Sequence, residues 1–255
     1  DATGAGSLKA LYKWWKLLME EGKRYGYYVK PSKSWLVLKD SMMEQQAMKI
    51  CCSCPINITT EGKRHLGAAL GNEEFKLNYI DEKVCEWSSR LEKLANIAKS
   101  QPHAAYAAYI HGEQHKHTYF TRTLNGIERN LEPLDRIIEE RFIPILFGRE
   151  IEENEREILE MPIKEGGMGI RKISKNASAA YNASKSISKP LADKIINQRN
   201  ELPDAANVKD ATTTTTMQMK EEMKRKIIAV KEKQSEYAKR KLEQLSQPGV
   251  SSWLG

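Results

Sequence analysis

Over residues 7–20, Leu8, Leu11, Tyr12, Trp15, Leu18 and Met19 fall on roughly one face of a helix. Ser7 is placed to cap the first turn and Gly22 to end it. The pattern then changes. Tyr25-Gly26-Tyr27-Tyr28-Val29 and Ser34-Trp35-Leu36-Val37-Leu38 are rich in aromatic and β-branched residues and flank Lys30-Pro31-Ser32-Lys33, with its turn-forming Pro-Ser. This predicts strand, turn and strand, the two strands pairing next to each other beside the first helix. A short helix follows over about 41–52. After Pro55, two short extended segments surround Thr60-Glu61-Gly62-Lys63 and lead into His65-Leu66-Gly67-Ala68-Ala69-Leu70. Up to Gly71 the pattern is mixed α and β.

Beyond Gly71 the period becomes helical. Ile80, Val84, Trp87, Leu91, Leu94 and Ala98 recur at alternating steps of four and three, a core-facing stripe that Pro102 stops. Further helices are predicted over about 102–120, 130–147, 151–160 and 174–199, punctuated by Pro133, Pro144, Gly148, Pro162 and Gly166-Gly167. Leu202–Thr216 holds Pro203 and five consecutive threonines, a composition that predicts a disordered linker. Met217–Gln247 mixes nine Lys or Arg with five Glu and reads as a solvated, partly helical tail.

The length of 255 residues allows one large or two small domains. No stretch approaches the roughly 20 apolar residues of a membrane span, so the sequence reads as a soluble protein without a membrane partner. Asp1 is not a methionine, and no signal peptide follows it. With Trp253 and Leu254 at the other end, both termini read as cut from a longer reading frame. The net charge of +7 favours a polyanion, most simply nucleic acid. Three of the four cysteines sit in Cys51-Cys52-Ser53-Cys54, without the spacing of a zinc site or a secreted disulfide framework. They read as reduced thiols of an intracellular protein, in cytoplasm or nucleus. His111 and His115 are four apart and, with His103 and His117, invite a metal hypothesis, but no third ligand is visible. The aromatic residues around them fit a packed helix better.

Four segments carry a family resemblance. Asp1-Ala2-Thr3-Gly4-Ala5-Gly6-Ser7-Leu8 leads a helix, and Tyr25 to Ser34 contains a turn ending in Lys33. Lys63-Arg64-His65-Leu66-Gly67 precedes the helical half, and Leu159-Glu160-Met161-Pro162-Ile163-Lys164-Glu165-Gly166-Gly167-Met168-Gly169-Ile170 lies beyond it. In order and spacing these resemble the reverse transcriptases (RNA-directed DNA polymerases) of retrotransposons. The similarity is to the stretch after the paired catalytic aspartates, the primer-holding aromatic-Leu-Gly hairpin, with His65 in place of the aromatic, and the Gly-Gly-x-Gly segment past the thumb. It covers residues 1–170.

The resemblance implies an α+β fold. Residues 1–71 would be the C-terminal part of a truncated polymerase palm, with short antiparallel strands and a helix. Residues 72–200 would form a predominantly α-helical thumb and connection, and 201–255 a linker with a basic tail. It implies that Asp1 is one of the carboxylates holding catalytic Mg2+, and that Asp1 begins at the tip or second strand of a hairpin. Lys33 is the lysine placed to protonate departing pyrophosphate. Lys63, Arg64, His65, Leu66 and Gly67 contact the primer terminus of an RNA–DNA or DNA duplex. Two further carboxylates would lie upstream, so the chain alone is expected not to polymerise and to bind no metal tightly. The competing readings are a non-enzymatic basic nucleic-acid-binding or interaction module, and a decayed element without function.

Overall fold

Ser7 opens α1 (Leu8–Glu21): its hydroxyl accepts from the Ala10 N–H at 3.3 Å, and Leu8 is buried on the inner face. The computed structural model describes every residue except Asp1, Ser53, Pro55, Gln198, Asn200 and 246–255, so the expected placement of Asp1 lies outside the described residues. The chain divides into two compact units, Asp1–Tyr79 and Ile80–Gly255. The fold is α+β with helix strongly dominant.

In the first unit the strand expected at 25–29 is absent. α1 runs on into a 3-10 turn over Gly22–Tyr25, and Gly26, at φ 74°, closes it. The backbone then turns back, with the Tyr27 N–H donating to the Gly22 carbonyl at 2.9 Å, and Tyr25, Tyr27 and Tyr28 stay exposed. Strand β1 (Trp35–Val37) forms as expected, but its partner is β2 (Asn57–Thr59), and the pairing is parallel: Trp35 lies opposite Asn57 and Val37 opposite Thr59. The antiparallel pair expected between 25–29 and 34–39 is thereby replaced. Pro31–Lys33 is itself a 3-10 turn rather than a hairpin loop, and parallel neighbours need a long crossover. That crossover contains α2 (Glu44–Ile50). Leu8, Leu38 and Ala47 form the buried centre, with Leu36, Met43, Ile50 and Ile58 packed around them.

An antiparallel hairpin follows, β3 (Gly62–His65) and β4 (Ala68–Gly71), in the register His65 opposite Ala68. Its two-residue loop has positive φ at both positions, 48° at Leu66 and 90° at Gly67, as a tight hairpin with right-handed strand twist requires. At the open end Gly62 faces Gly71. A Cβ on Gly62 would lie 2.4 Å from the Phe75 ring and one on Gly71 2.3 Å from the Glu61 carbonyl oxygen, so side chains are excluded there. α3 (Glu73–Ala98) starts immediately after, capped by Asn72, whose side chain accepts from the Phe75 N–H at 2.8 Å.

The second unit is helical. Of the stripe expected on α3, Ile80, Val84, Trp87, Leu91 and Ala98 are buried and Leu94 is half-buried, and Ala95 joins the interior. Residues 102–123 form α4 (Pro102–Ala108), a π turn (Tyr109–Glu113), α5 (Gln114–Lys116) and α6 (Thr118–Thr123). α7 (Glu128–Ile137) runs through a second π turn (Ile138–Phe142) into α8 (Ile143–Phe147), which Gly148 ends at φ 68°. α9 (Glu153–Glu160) leads to the Gly166-Gly167-Met168-Gly169 corner and then α10 (Ile173–Ile196). In that corner a Cβ on Gly167 would meet the Met161 carbonyl oxygen at 2.2 Å, so the glycine is a packing requirement.

The linker expected over Leu202–Thr216 is also corrected. From Asp204, which accepts from the Ala206 N–H at 3.1 Å, the chain enters α11 (Ala205–Glu232), a helix that packs on α10 and carries the threonine run in its interior. The Thr212 hydroxyl donates to the Val208 carbonyl at 2.8 Å, so the helix supplies a partner for a side chain that otherwise competes with it, and Thr215 is buried. Nor is the tail only solvated: Ile227 of α11 and Leu242 of α12 (Glu236–Leu245) bury themselves against Met161.

Candidate nucleic-acid interface

The β3–β4 hairpin brings five of the sequence-predicted residues together. At its tip Leu66 is 68% exposed, held there by a left-handed backbone that a branched side chain adopts only at a cost of about 1–2 kcal/mol. Two contacts hold the tip. The Tyr79 hydroxyl donates to the Gly67 carbonyl at 3.1 Å, and the His65 Nε2 lies 3.0 Å from the Thr3 hydroxyl. His65 thus uses its ring to join the N-terminal segment to the hairpin. Phe75 and Tyr79, one turn apart on α3, stack in parallel at 6.4 Å, and Tyr79 reaches the tip from that support.

Arg64 projects from β3 into solvent, whereas Lys63 is half-buried and places its ammonium 4.0 Å from the centroid of the Trp35 ring. That cation–π contact is worth about 0.5–2 kcal/mol and ties the hairpin to β1. Lys33 is exposed, two residues before Trp35, so the segment that carries it is adjacent to the hairpin. Its turn is clamped by Asn57: the side-chain amide donates to the carbonyls of Ser32 at 2.9 Å and Ser34 at 3.1 Å. Among the described residues none of Lys33, Lys63 and Arg64 forms an ion pair, which leaves three cations without a carboxylate partner.

Sequence reasoning missed Trp35, Asn57 and Thr3. Trp35 carried a signal in its alternation of aromatic and basic residues, but Asn57 and Thr3 act through pairings that no local pattern encodes. The tyrosines read as part of a strand are a second miss. Tyr25 and Tyr28 are 87% and 73% exposed, flanked by exposed Lys23, Arg24 and Lys30.

A different polar row lies inside the helical unit. Tyr109, Glu113 and His117 stand four residues apart across the π turn, all buried, and Arg156 of α9 is buried as well. The Tyr109 hydroxyl, Glu113 Oε1, both His117 nitrogens and Arg156 Nη2 have no partner among the described residues. Burial pushes the Tyr109 hydroxyl far up. It also pulls the His117 imidazole down to about 4, with a smaller push from the Lys116 charge. His103, His111 and His115 are exposed, and among the described residues no three metal-ligating side chains converge. No family model, curated protein or solved structure matches the chain.

Proposed function

We propose that this chain carries the closing part of the palm and the thumb of a reverse-transcriptase-like RNA-directed DNA polymerase, in which it holds the primer–template duplex. The observation that carries the reading is the two-residue Leu66-Gly67 hairpin. It is braced from α3 by Tyr79, presents an exposed leucine beside cations without carboxylate partners, and leads directly into a helical unit. Lys33 on its clamped turn and the tyrosines at 25, 27 and 28 add exposed cationic and aromatic surface in the same unit. Backbone phosphates are the natural partners of Lys33, Lys63 and Arg64, and a hairpin apex suits contact with a duplex end.

Two-metal nucleotidyl transfer takes two or three converging carboxylates. Asp1 lies outside the described residues, and no group of three metal-ligating side chains converges among the rest, so no metal-dependent step is assigned to this chain. In a complete parent enzyme Mg2+ would supply the activation of the primer hydroxyl. The residues present here bind and orient.

The test is duplex binding by the full chain, followed by fluorescence anisotropy with labelled RNA–DNA and DNA duplexes over a range of salt. Log affinity falls linearly with log salt, by about 0.9 per phosphate contact on duplex DNA. Replacing Lys63 and Arg64 with alanine makes the slope shallower by up to about 2, whereas K220Q/K224Q on the exposed face of α11 leaves the hairpin's share in place. A slope that the hairpin variant does not move overturns the assignment.

A further inference from the structure

We propose that Cys51 and Cys54 are a reactive thiol pair that a hydroperoxide converts into an intramolecular disulfide, at the junction between α2 and β2. Cys51 ends α2, its N–H donating to the Ala47 carbonyl at 2.8 Å, and the chain then folds back so that the Cys54 N–H donates to the Cys51 carbonyl at 2.8 Å. A hydrogen bond from an N–H to the carbonyl three residues earlier keeps the two Cα atoms within about 7 Å. A disulfide spans Cα separations of about 4.4–6.8 Å, so this hydrogen bond brings the two cysteines close to bridging range. Neighbouring Cys51 and Cys52 are about 3.8 Å apart across a trans peptide, below that range.

Exposure assigns the roles. Cys54 is half-buried and accessible to a small oxidant, whereas Cys51 is buried, with Ala47 of the same helix in the core. Burial pushes the Cys51 thiol up, and the neighbouring Cys54 and Cys52 push it further.

The step balances as follows. The Cys54 sulfur, having released its proton, attacks the terminal oxygen of the hydroperoxide, and the O–O bond breaks. The alkoxide leaves and takes up that proton as the alcohol, while the sulfur is oxidised by two electrons to a sulfenic acid. The Cys51 sulfur then attacks the sulfenic sulfur. The S–S bond forms, and the hydroxyl departs with the Cys51 proton as water. Two thiols and one hydroperoxide give one disulfide, one alcohol and one water, and a dithiol reductant reverses the bond through a mixed disulfide.

Hydrogen peroxide added to the reduced full chain tests this, read by alkylation of free thiols and mass spectrometry of the tryptic peptide Ile50–Lys63. The expected peptide has lost two hydrogens and retains one alkylatable thiol, and dithiothreitol restores all three. C52S keeps the loss of two hydrogens, and C54S and C51A each abolish it. C54S, at a half-buried position, decides the matter even where C51A disturbs the core. Loss of the disulfide in C52S, gain of oxygen instead of loss of hydrogen in the unaltered peptide, or no reaction at all overturns the proposal.

Discussion

The Trp87 indole meets the His117 imidazole edge to face, with ring centroids 4.8 Å apart. Phe120 approaches the same indole at 4.9 Å, so the histidine is one wall of an aromatic cluster and is only 2% exposed. Neither ring nitrogen has a partner among the described residues, which makes the cluster tolerant of the neutral ring and hostile to the cation.

That burial sets a pH dependence. With the folded imidazole pulled down to about 4 from an ordinary 6.5, the unfolded chain binds the proton first as pH falls. Stability is therefore complete above about pH 6.5 and declines towards pH 4, by up to roughly 3 kcal/mol from this residue. Urea denaturation between about pH 7 and pH 4.5 measures it, and H117F, which keeps an aromatic ring without a titrating nitrogen, flattens the curve over that window. An equally steep decline in the variant shows that other groups carry the acid sensitivity.

The Asp135 carboxylate caps a helix from another element. It accepts from the N–H groups of Ile173 at 2.7 Å and Ser174 at 2.9 Å, the start of α10, which no side chain of the preceding segment caps. D135A leaves one buried and one part-buried donor unsatisfied and costs about 2 kcal/mol. Hydrogen exchange of the amides of Ile173 and Ser174 quickens more than that of α3, which a general loss of stability does not produce.

What the sequence disclosed follows from the range of the forces involved. The α1 face, the Ile80–Ala98 stripe and the Leu66-Gly67 turn are local signals, written in spacing or in the residues that a turn demands. The partner of β1 is not local. The alternation of Trp35–Val37 is compatible with any neighbour, and parallel pairing with β2 is chosen by the burial of Ala47 on the inner side of the crossover helix α2 and by Asn57. Composition misled at the threonine run, because β-branched polar residues read as non-helical until packing on α10 outweighs a propensity of a few tenths of a kcal/mol each. The interior row Tyr109, Glu113 and His117 was legible in its spacing of four, but polar residues are ordinarily assigned to the outer face.

The docking of the last helices gives the final prediction, in which a basic, highly charged segment is set against a small apolar contact. Ile227 and Leu242 are 9% and 5% exposed and meet Met161, with Ile158, Met223 and Val230 around them. Gly166, at φ 88°, leaves room for Leu242, whose side chain would lie 3.1 Å from an added Cβ. Two ion pairs flank the contact, Lys231 with Glu165 and Lys233 with Glu157, both at 2.9 Å, but partly exposed pairs contribute at most about 1 kcal/mol each. Apolar burial therefore holds the helices. L242A and I227A each lower stability by about 2–4 kcal/mol, whereas K233Q costs under about 1 kcal/mol, and M217A, at a position 58% exposed, under about 0.5 kcal/mol. Chemical denaturation gives the energies, and limited trypsin digestion gives the location: in L242A and I227A, cleavage at Lys239 and Lys241 accelerates ahead of cleavage within α3. If L242A costs no more than M217A, the C-terminal helices are not held by this core, and the solvated tail inferred from composition is the better description.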